Sequence, residues 1–483
     1  MVPNFNGSAD LEKIHQSSMQ IISENGFHIN CDETVALLKK NGVKVDGKTA
    51  FFTPDQVMEQ VGKAPSGFSV HARNPKWDMH IGAGDVNCAP AFGSAFIKET
   101  DGRLRPGTMA DYIKLVKLFH QCGSFKINGG ILVQPDEVDT RHAMTMELLA
   151  TAIHSDKCFL SGAGGLEESR TQMEMLKILF GDEGRLEDKA RIVAVMNVNS
   201  PLQFDKTQLD TLRVFVENGQ AVGINCGIAA GNSGPITLAG SIALGNAEVL
   251  TGVAISQMMK EGAKVLYGLP IAQATDMKTG GTAIGGPETS IGTRYGARLA
   301  RAYGLPTRSC GSPTDAKSVF GAQNGYESAL LLFNNYEAGA DLVVHAAGVM
   351  DSYMSTSFEK CIIDFEIIRM CERFMKGVGL ENEDFALDTI KEVGAGGLYL
   401  TSPHTFKHCR EELFSPDLGF RGADVSSPDK VFEKRVEDKL DHMLNSYEQP
   451  DIPGEILRDL LAFLSGKGYE CPPALAGIKS PAA

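Results

Sequence analysis

The stretch RIVAVMNVNSPLQFDKTQLDTLRVFVENGQAVGINCGIAAG, residues 191–231, decides the fold. It opens on a β-rich apolar run, 191–200, that ends in asparagines. KTQLDTLRVFVENG follows, with apolar residues at helical spacing and a closing glycine of the kind that ends helices. A second apolar run, 221–231, again ends in polar and small residues. The pattern predicts strand, helix, strand.

The same phrase recurs from about residue 120 onward. Its strand-like parts are FKINGGILV (125–133), KCFLSGAGG (157–165), AKVLYGLPIAQ (263–273), LPTRSCGS (305–312) and ADLVVHAAG (340–348). GGLYLTSPHT (396–405) is a fainter eighth. Helical patterns such as SRTQMEMLKILFG and NAEVLTGVAISQMMKEG lie between them. Eight such runs, mostly about 30 to 40 residues apart, predict an α/β fold, a (β/α)8 TIM barrel over residues 121–405. A doubly wound open sheet is the rival, and it would carry a glycine-rich phosphate loop after its first strand. SGAGGL around Gly162 lacks that spacing.

Residues 1–120 read differently: two helical patterns, then the β-rich stretch from FSVHARNPKWDMHIGAG to AFIKETDGRLRPG. They are expected to form an N-terminal α/β extension covering the barrel. Residues 406–483 are helical and more charged, and are expected to pack on the barrel as a tail and to serve as a contact in a homo-oligomer.

Composition narrows the function. With 483 residues, 43% hydrophobic and 22% charged, the chain reads as an ordinary globular protein. A net charge of −14 without a Lys/Arg cluster argues against nucleic acid and fits, weakly, a cationic substrate. The ten cysteines form no C-x-x-C pair and read as reduced thiols. The start, MVPNFNGSADLEK, lacks the features of a secretion signal, and no apolar run is read as approaching about 18 residues. A cytoplasmic protein without a membrane span is the expectation.

In a (β/α)8 barrel the active site lies at the C-terminal ends of the strands. That rule selects Asn128, Ser161, Asn197 or Asn199, Asn225, Gln273, Arg308, His345 and the region of His404. Strand-end asparagines often satisfy backbone groups instead of touching a ligand. Arg308 in a barrel mouth needs an anion, either from a ligand or from Asp315 or Glu288. His345 breaks an apolar strand, and a functional imidazole is the reading taken for it. His404, His408 and Cys409 could supply zinc ligands from one helix, but no further Cys or His lies near, and no metal site is expected. DMHIGAG (78–84) nearly spells a cobalamin-ligand motif, with Ala83 where glycine belongs, and is read as coincidence. Glycine-rich loops at 227–240, 277–288 and 345–350 would allow close approach by something broad and flat.

These motifs resemble a known family. GPITLAG with NAEVL (234–250), YGLPTR (303–308), TDAK with Gln323 and YE (314–327), HAAG (345–348) and PHTFKHCREE (403–412) are similar to the trimethylamine methyltransferase (MttB) superfamily. All residues belong to the standard twenty, which resembles the branch without pyrrolysine, the branch that demethylates quaternary amines such as glycine betaine, proline betaine and carnitine. The resemblance implies a methyltransferase passing a methyl group to cob(I)alamin on a separate corrinoid protein. Its task would be positioning and desolvation, without acid–base work. Phe92, Phe96 and Tyr353 are then candidates for an aromatic cage around the cation, with Phe320 and Tyr326 in reserve. Arg308 would pair with a substrate carboxylate, while Asn199, Asn225 and Gln273 would contact substrate. His345, the candidate catalytic residue, would orient substrate or meet the corrinoid rim. Gly231, Gly280, Gly281, Ala346, Ala347 and Gly348 would form the corrinoid docking surface. The alternatives are corrinoid-dependent demethylation of another amine or a sulfonium, a non-catalytic betaine-binding relative, and a metal-dependent lyase, which the scarcity of carboxylates disfavours.

Overall fold

The computed structural model describes residues 1–82, 84–181, 186–269, 273–422 and 425–476. Eight parallel strands carry the fold. They are β1 (Asn87–Cys88), β2 (Ile127–Gly129), β3 (Cys158–Gly162), β4 (Ile192–Val198), β5 (Ala221–Cys226), β6 (Val265–Tyr267), β7 (Arg308–Cys310) and β8 (Leu342–Val344). Each is followed by a long helix: α1 (Met109–Gln121), α2 (Ala143–His154), α3 (Gly165–Phe180), α4 (Lys206–Glu217), α5 (Leu238–Met259), α6 (Pro287–Ala302), α7 (Ala322–Ala338) and α8 (Phe358–Lys376). The strands are almost wholly buried, as parallel strands covered by crossover helices are.

Hydrogen bonding divides the strands into a five-stranded sheet, ordered β6-β5-β4-β3-β2, and a three-stranded sheet, ordered β7-β8-β1. Every pairing within them is parallel. Single parallel bridges join their edges, Cys88 to Phe125 on one side and Tyr267 to Thr307 on the other.

The eighth strand expected at 396–405 is not a strand. The glycine pair there lies in turns, and Ser402 caps a helix, Pro403–Glu412, that has proline in its first turn. Asn87–Cys88 pairs with β8 instead. The Asn87 amide holds it there, donating to the carbonyls of Asp341 (3.0 Å), His80 (3.0 Å) and Asp85 (3.1 Å).

Helix α5 corrects a second expectation. At 22 residues it is long and apolar enough by composition to cross a membrane, yet it is mostly buried within the chain. It lies between the strands and the N-terminal helix Ala9–Glu24, so it is apolar on every side, as a core helix is. Of its buried polar groups, Asn246 and Glu248 are paired, while the Thr251 hydroxyl has no partner among the described residues. Asn246 donates to Ser18 (2.9 Å) and Tyr303 (3.0 Å), and Glu248 accepts from Ser200 (2.6 Å) and the Leu202 N–H (2.8 Å). The C-terminal helices Pro428–Asn445 and Gly454–Gly466 are pinned to α2 and α3 by Tyr447, bonded to the His154 carbonyl, and by Lys467, bonded to Thr171.

Candidate active site

A cavity of about 310 Å³ opens at the C-terminal ends of the strands. Val195 and Asn197 of β4, Asn225 and Cys226 of β5, Arg308 of β7, and His345 just past β8 line it, with Phe92, Gln273 and Tyr353 from the connecting loops. A larger depression of about 520 Å³ lies outside, between helix Ala9–Glu24 and the start of α5, away from the strand ends.

Local backbone geometry delivers the two loop groups from the β8 end. His345 has φ 60°, a left-handed conformation that turns the chain off the strand. Its N–H bonds the Pro90 carbonyl (3.0 Å), and its own carbonyl accepts from the Ser312 N–H (2.7 Å). Asp351, Ser352 and Tyr353 are left-handed in succession, with φ 52°, 56° and 75°. Residues with side chains adopt this turn only when neighbours hold them in it. Here the buried Asp351 carboxylate takes Lys98 (3.4 Å), Lys317 (3.2 Å) and Ser355 (2.5 Å), and Ser352 donates to Asp315 (2.6 Å). The turn carries the Tyr353 ring to 4.9 Å from the His345 ring, and Phe92 stands edge-on to His345 at 6.2 Å.

Arg308 is the cation of the cavity. It is 7% exposed, and among the described residues it has no carboxylate partner. Its Nη2 lies 3.3 Å from His345 Nε2. Burial, reinforced by the neighbouring guanidinium, holds His345 well below the ordinary histidine range, so the imidazole is neutral. A guanidinium only donates, so Nε2 accepts and the ring proton sits on Nδ1. Arg308 Nε and His345 Nδ1 are both buried donors without an acceptor among the described residues. Asp315, one expected partner for Arg308, is occupied elsewhere: it accepts from the Ile284 N–H (2.9 Å), the Gly285 N–H (3.0 Å) and Ser352. Burial also pushes the Tyr353 phenol and the Cys310 thiol up, and the two share a contact of 3.0 Å. A cation with spare donors, aromatic faces beside it and carboxylates kept away make a site for a ligand with an anionic end and an apolar or cationic body.

Phe92, Asn225, Gln273, Arg308, His345 and Tyr353, selected from the sequence, all reach this cavity, as does Asn197. Asn199 does not. It lies past the strand end, donates to Asp205 (2.8 Å) and accepts from Gln208 (3.2 Å), bracing the start of α4. Phe96 is also outside the cavity lining: it sits in the strand Phe96–Lys98, paired with Ser355–Thr356 and Leu104–Pro106. Of the reserves, Phe320 packs half-buried on the core and Tyr326 faces out.

Ala346, Ala347 and Gly348 are buried and offer no surface to a docked molecule. They are small because backbone and helix come close. A Cβ on Gly311 would meet Ala346 Cα at 2.5 Å, and one on Gly348 would meet Cys361 of α8 at 2.5 Å. The Gly348 N–H bonds the buried Asp364 carboxylate (2.8 Å), which is paired with Lys360. Gly280 and Gly281 are exposed and Gly231 is half-buried.

His404 and His408 stack on each other with ring centroids 4.5 Å apart, and Cys409 Sγ lies over the Phe406 carbonyl. No group of three or more metal-ligating side chains occurs among the described residues. Ala83 of the DMHIGAG stretch lies outside the described residues; its His80 contacts Ser69 in a hairpin. Sequence reasoning missed Cys226 and Cys310, whose only signal was their place at strand ends.

Geometry thus defines a small-molecule site at the strand ends of a mixed α/β protein. The chain belongs to the trimethylamine methyltransferase (MTTB) family, whose model matches residues 4–472. It is 35% identical over 474 residues to the glycine betaine methyltransferase of Desulfitobacterium hafniense (strain Y51), covering 97% of this chain and 98% of that one. It is 25% identical to the proline betaine:corrinoid methyltransferase of Eubacterium limosum, covering 92% and 93%. The crystal structure of the Methanosarcina barkeri monomethylamine methyltransferase (MtmB) matches it in fold, with TM-score 0.50 and 10% identity over 90% of this chain and 87% of that one.

Proposed function

We propose that this methyltransferase moves a methyl group from a betaine, a quaternary amine bearing a carboxylate, to cob(I)alamin presented by a separate corrinoid protein. Family membership and the likeness to betaine methyltransferases support the reaction class. The observation that carries the substrate is Arg308: a buried guanidinium with an unused donor and no acidic partner among the described residues, in a cavity that Phe92 and Tyr353 also line.

The residues would divide the work as follows. Arg308 pairs with the substrate carboxylate, and the His345 Nδ1 proton supplies a further donor. Phe92 and Tyr353 offer ring faces to the ammonium methyls, each worth about 0.5–2 kcal/mol by cation–π attraction. Neutral His345 adds no repulsion toward the cation. In the transfer the N–CH3 bond breaks and its electron pair stays on nitrogen, so a neutral tertiary amine leaves while the cobalt electron pair forms the new bond to carbon. No proton moves. The chain's contribution is orientation and exclusion of water.

In the same reading the two parallel sheets are one closed (β/α)8 barrel, supported by the edge bridges at Cys88 and Tyr267 and by the alternation of eight strands with eight helices. On this reading Asn87–Cys88, which pairs with β8, counts as the first barrel strand, and the N-terminal extension ends near residue 86. The corrinoid protein docks over the mouth, where Gly280 and Gly281 leave a low rim and the exposed Ile236 and Met277 offer apolar contact. Free thiols at all ten cysteines suit a cytoplasmic setting.

The test is to mix the purified chain with cob(I)alamin and a panel of glycine betaine, proline betaine, carnitine and trimethylamine. Spectral conversion to methylcobalamin is expected with one or more of the carboxylate-bearing amines and not with trimethylamine. Conversion with none of the betaines overturns the reading.

A further inference from the structure

From Glu372 to Asp417 no residue is buried. The segment leaves the end of α8 and returns to the same helix. Arg373 bonds the Glu412 carbonyl (2.7 Å), and Glu366 accepts from the N–H groups of Asp417 (2.6 Å) and Leu418 (2.8 Å). Between these points it forms two helices, Leu387–Val393 and Pro403–Glu412, neither with a buried side chain. It is therefore an arm: secondary structure tethered at both ends to one place and packed on no core of its own.

Its composition is that of a packed segment. Ten large apolar side chains between 378 and 413 are exposed, among them Leu380 (74%), Leu387 (69%), Leu400 (76%) and Phe406 (84%). The strip continues onto the body beside the root, where Phe333 of α7 and Phe374 of α8 touch each other and are also exposed. Together the arm residues present on the order of 1,000 Å² of apolar surface, against about 800 Å² per partner in a standard interface. A monomer rarely leaves a patch of that size in water.

We propose that a second copy of this chain covers the arm, each arm lying on the apolar strip of α7 and α8 of the other protomer in an isologous pair. The topology favours a second copy over the corrinoid protein. Helix α8 begins beside the strand ends that carry the cavity and runs away from them, and the arm is rooted in its far half. A partner docked at the mouth leaves the arm bare. An arm and a receiving strip on the same chain satisfy both halves of a two-fold contact at once, which closes the assembly.

The test is light scattering on the full chain at micromolar concentration, without any corrinoid protein. The native chain is expected to run as a dimer or a multiple of it. The double variant Leu400→Asp/Phe406→Asp is expected to run as a monomer with an unchanged circular dichroism spectrum, since neither side chain touches the core of its own protomer. A second variant, with residues 378–411 replaced by a short Gly/Ser linker between the neighbouring anchor points, is expected to do the same. A native chain that is monomeric, that assembles only when a corrinoid protein is added, or whose assembly survives both variants overturns the proposal. Methyl transfer to free cob(I)alamin is read separately, so its loss or retention bears on the betaine site and not on the arm.

Discussion

Arg308 donates to His345 across 3.3 Å, and this one contact fixes both the charge and the tautomer of the site. The guanidinium keeps its charge, the imidazole gives up its own, and the ring proton is left on Nδ1. Among the described residues neither has another side-chain hydrogen-bond partner, so what they leave unused is available to a ligand.

Replacing Arg308 with methionine separates ligand recognition from folding. Loss of a buried charged partner costs about 2–5 kcal/mol in binding, so betaine affinity by calorimetry should fall about 30-fold or more. The thermal midpoint should hold or rise, because a buried cation without a carboxylate is removed.

Tyr353 is read through two substitutions. Tyr353→Phe keeps the ring and loses only the contact to Cys310, so KM for betaine should change less than about threefold. Tyr353→Ala removes the ring and should raise KM by up to about 30-fold, the equivalent of about 2 kcal/mol.

Because His345 is held well below its ordinary value of 6.5, the folded protein resists protonating it while the unfolded chain does not. The unfolded state therefore binds more protons as pH falls through 6.5, and native stability is lost in that direction. Thermal midpoints between about pH 7 and pH 5 should decline less steeply in His345→Asn than in the native chain.

Glu168 carries the opposite sign. It is buried between α2 and α3, accepts from Thr145 at 2.6 Å, and burial raises its pKa to about 7 from 4.5. The folded state holds that proton more tightly, so stability falls as pH rises from 4.5 through about 7. Glu147 nearby, with both carboxylate oxygens unpartnered among the described residues, is pushed the same way by burial and by Glu168. Glu168→Gln should raise the thermal midpoint at alkaline pH and have little effect at pH 5.

Gly348→Ala tests whether 346–348 is packing or surface. The position has φ +91°, and a Cβ there meets Cys361 at 2.5 Å. The substitution should destabilise the chain by about 1–3 kcal/mol in denaturant unfolding. Gly281→Ala, with only Thr279 near its Cβ at 3.3 Å, should leave stability within about 0.5 kcal/mol.

The amino-acid sequence by itself determined the strand and helix alternation from residue 125 to 348, because apolar runs and helical periodicity are local properties. It also marked Arg308 and His345, where a charge and an imidazole interrupt buried strands. The MttB resemblance supplied the reaction class, which matching relatives support along nearly the whole chain. Only the tertiary structure chose β1: a two-residue strand has no periodicity to read, and Asn87 finds its place through carbonyls far along the chain. Asn197 faces the cavity and Asn199 braces the Asp205 cap of α4 for the same kind of reason, since two residues along a strand end decide whether a side chain meets the cavity or the next turn. Smallness at 346–348 was legible, but its cause was not. A glycine reads alike whether a ligand or a neighbouring helix comes close, and here the neighbour is α8.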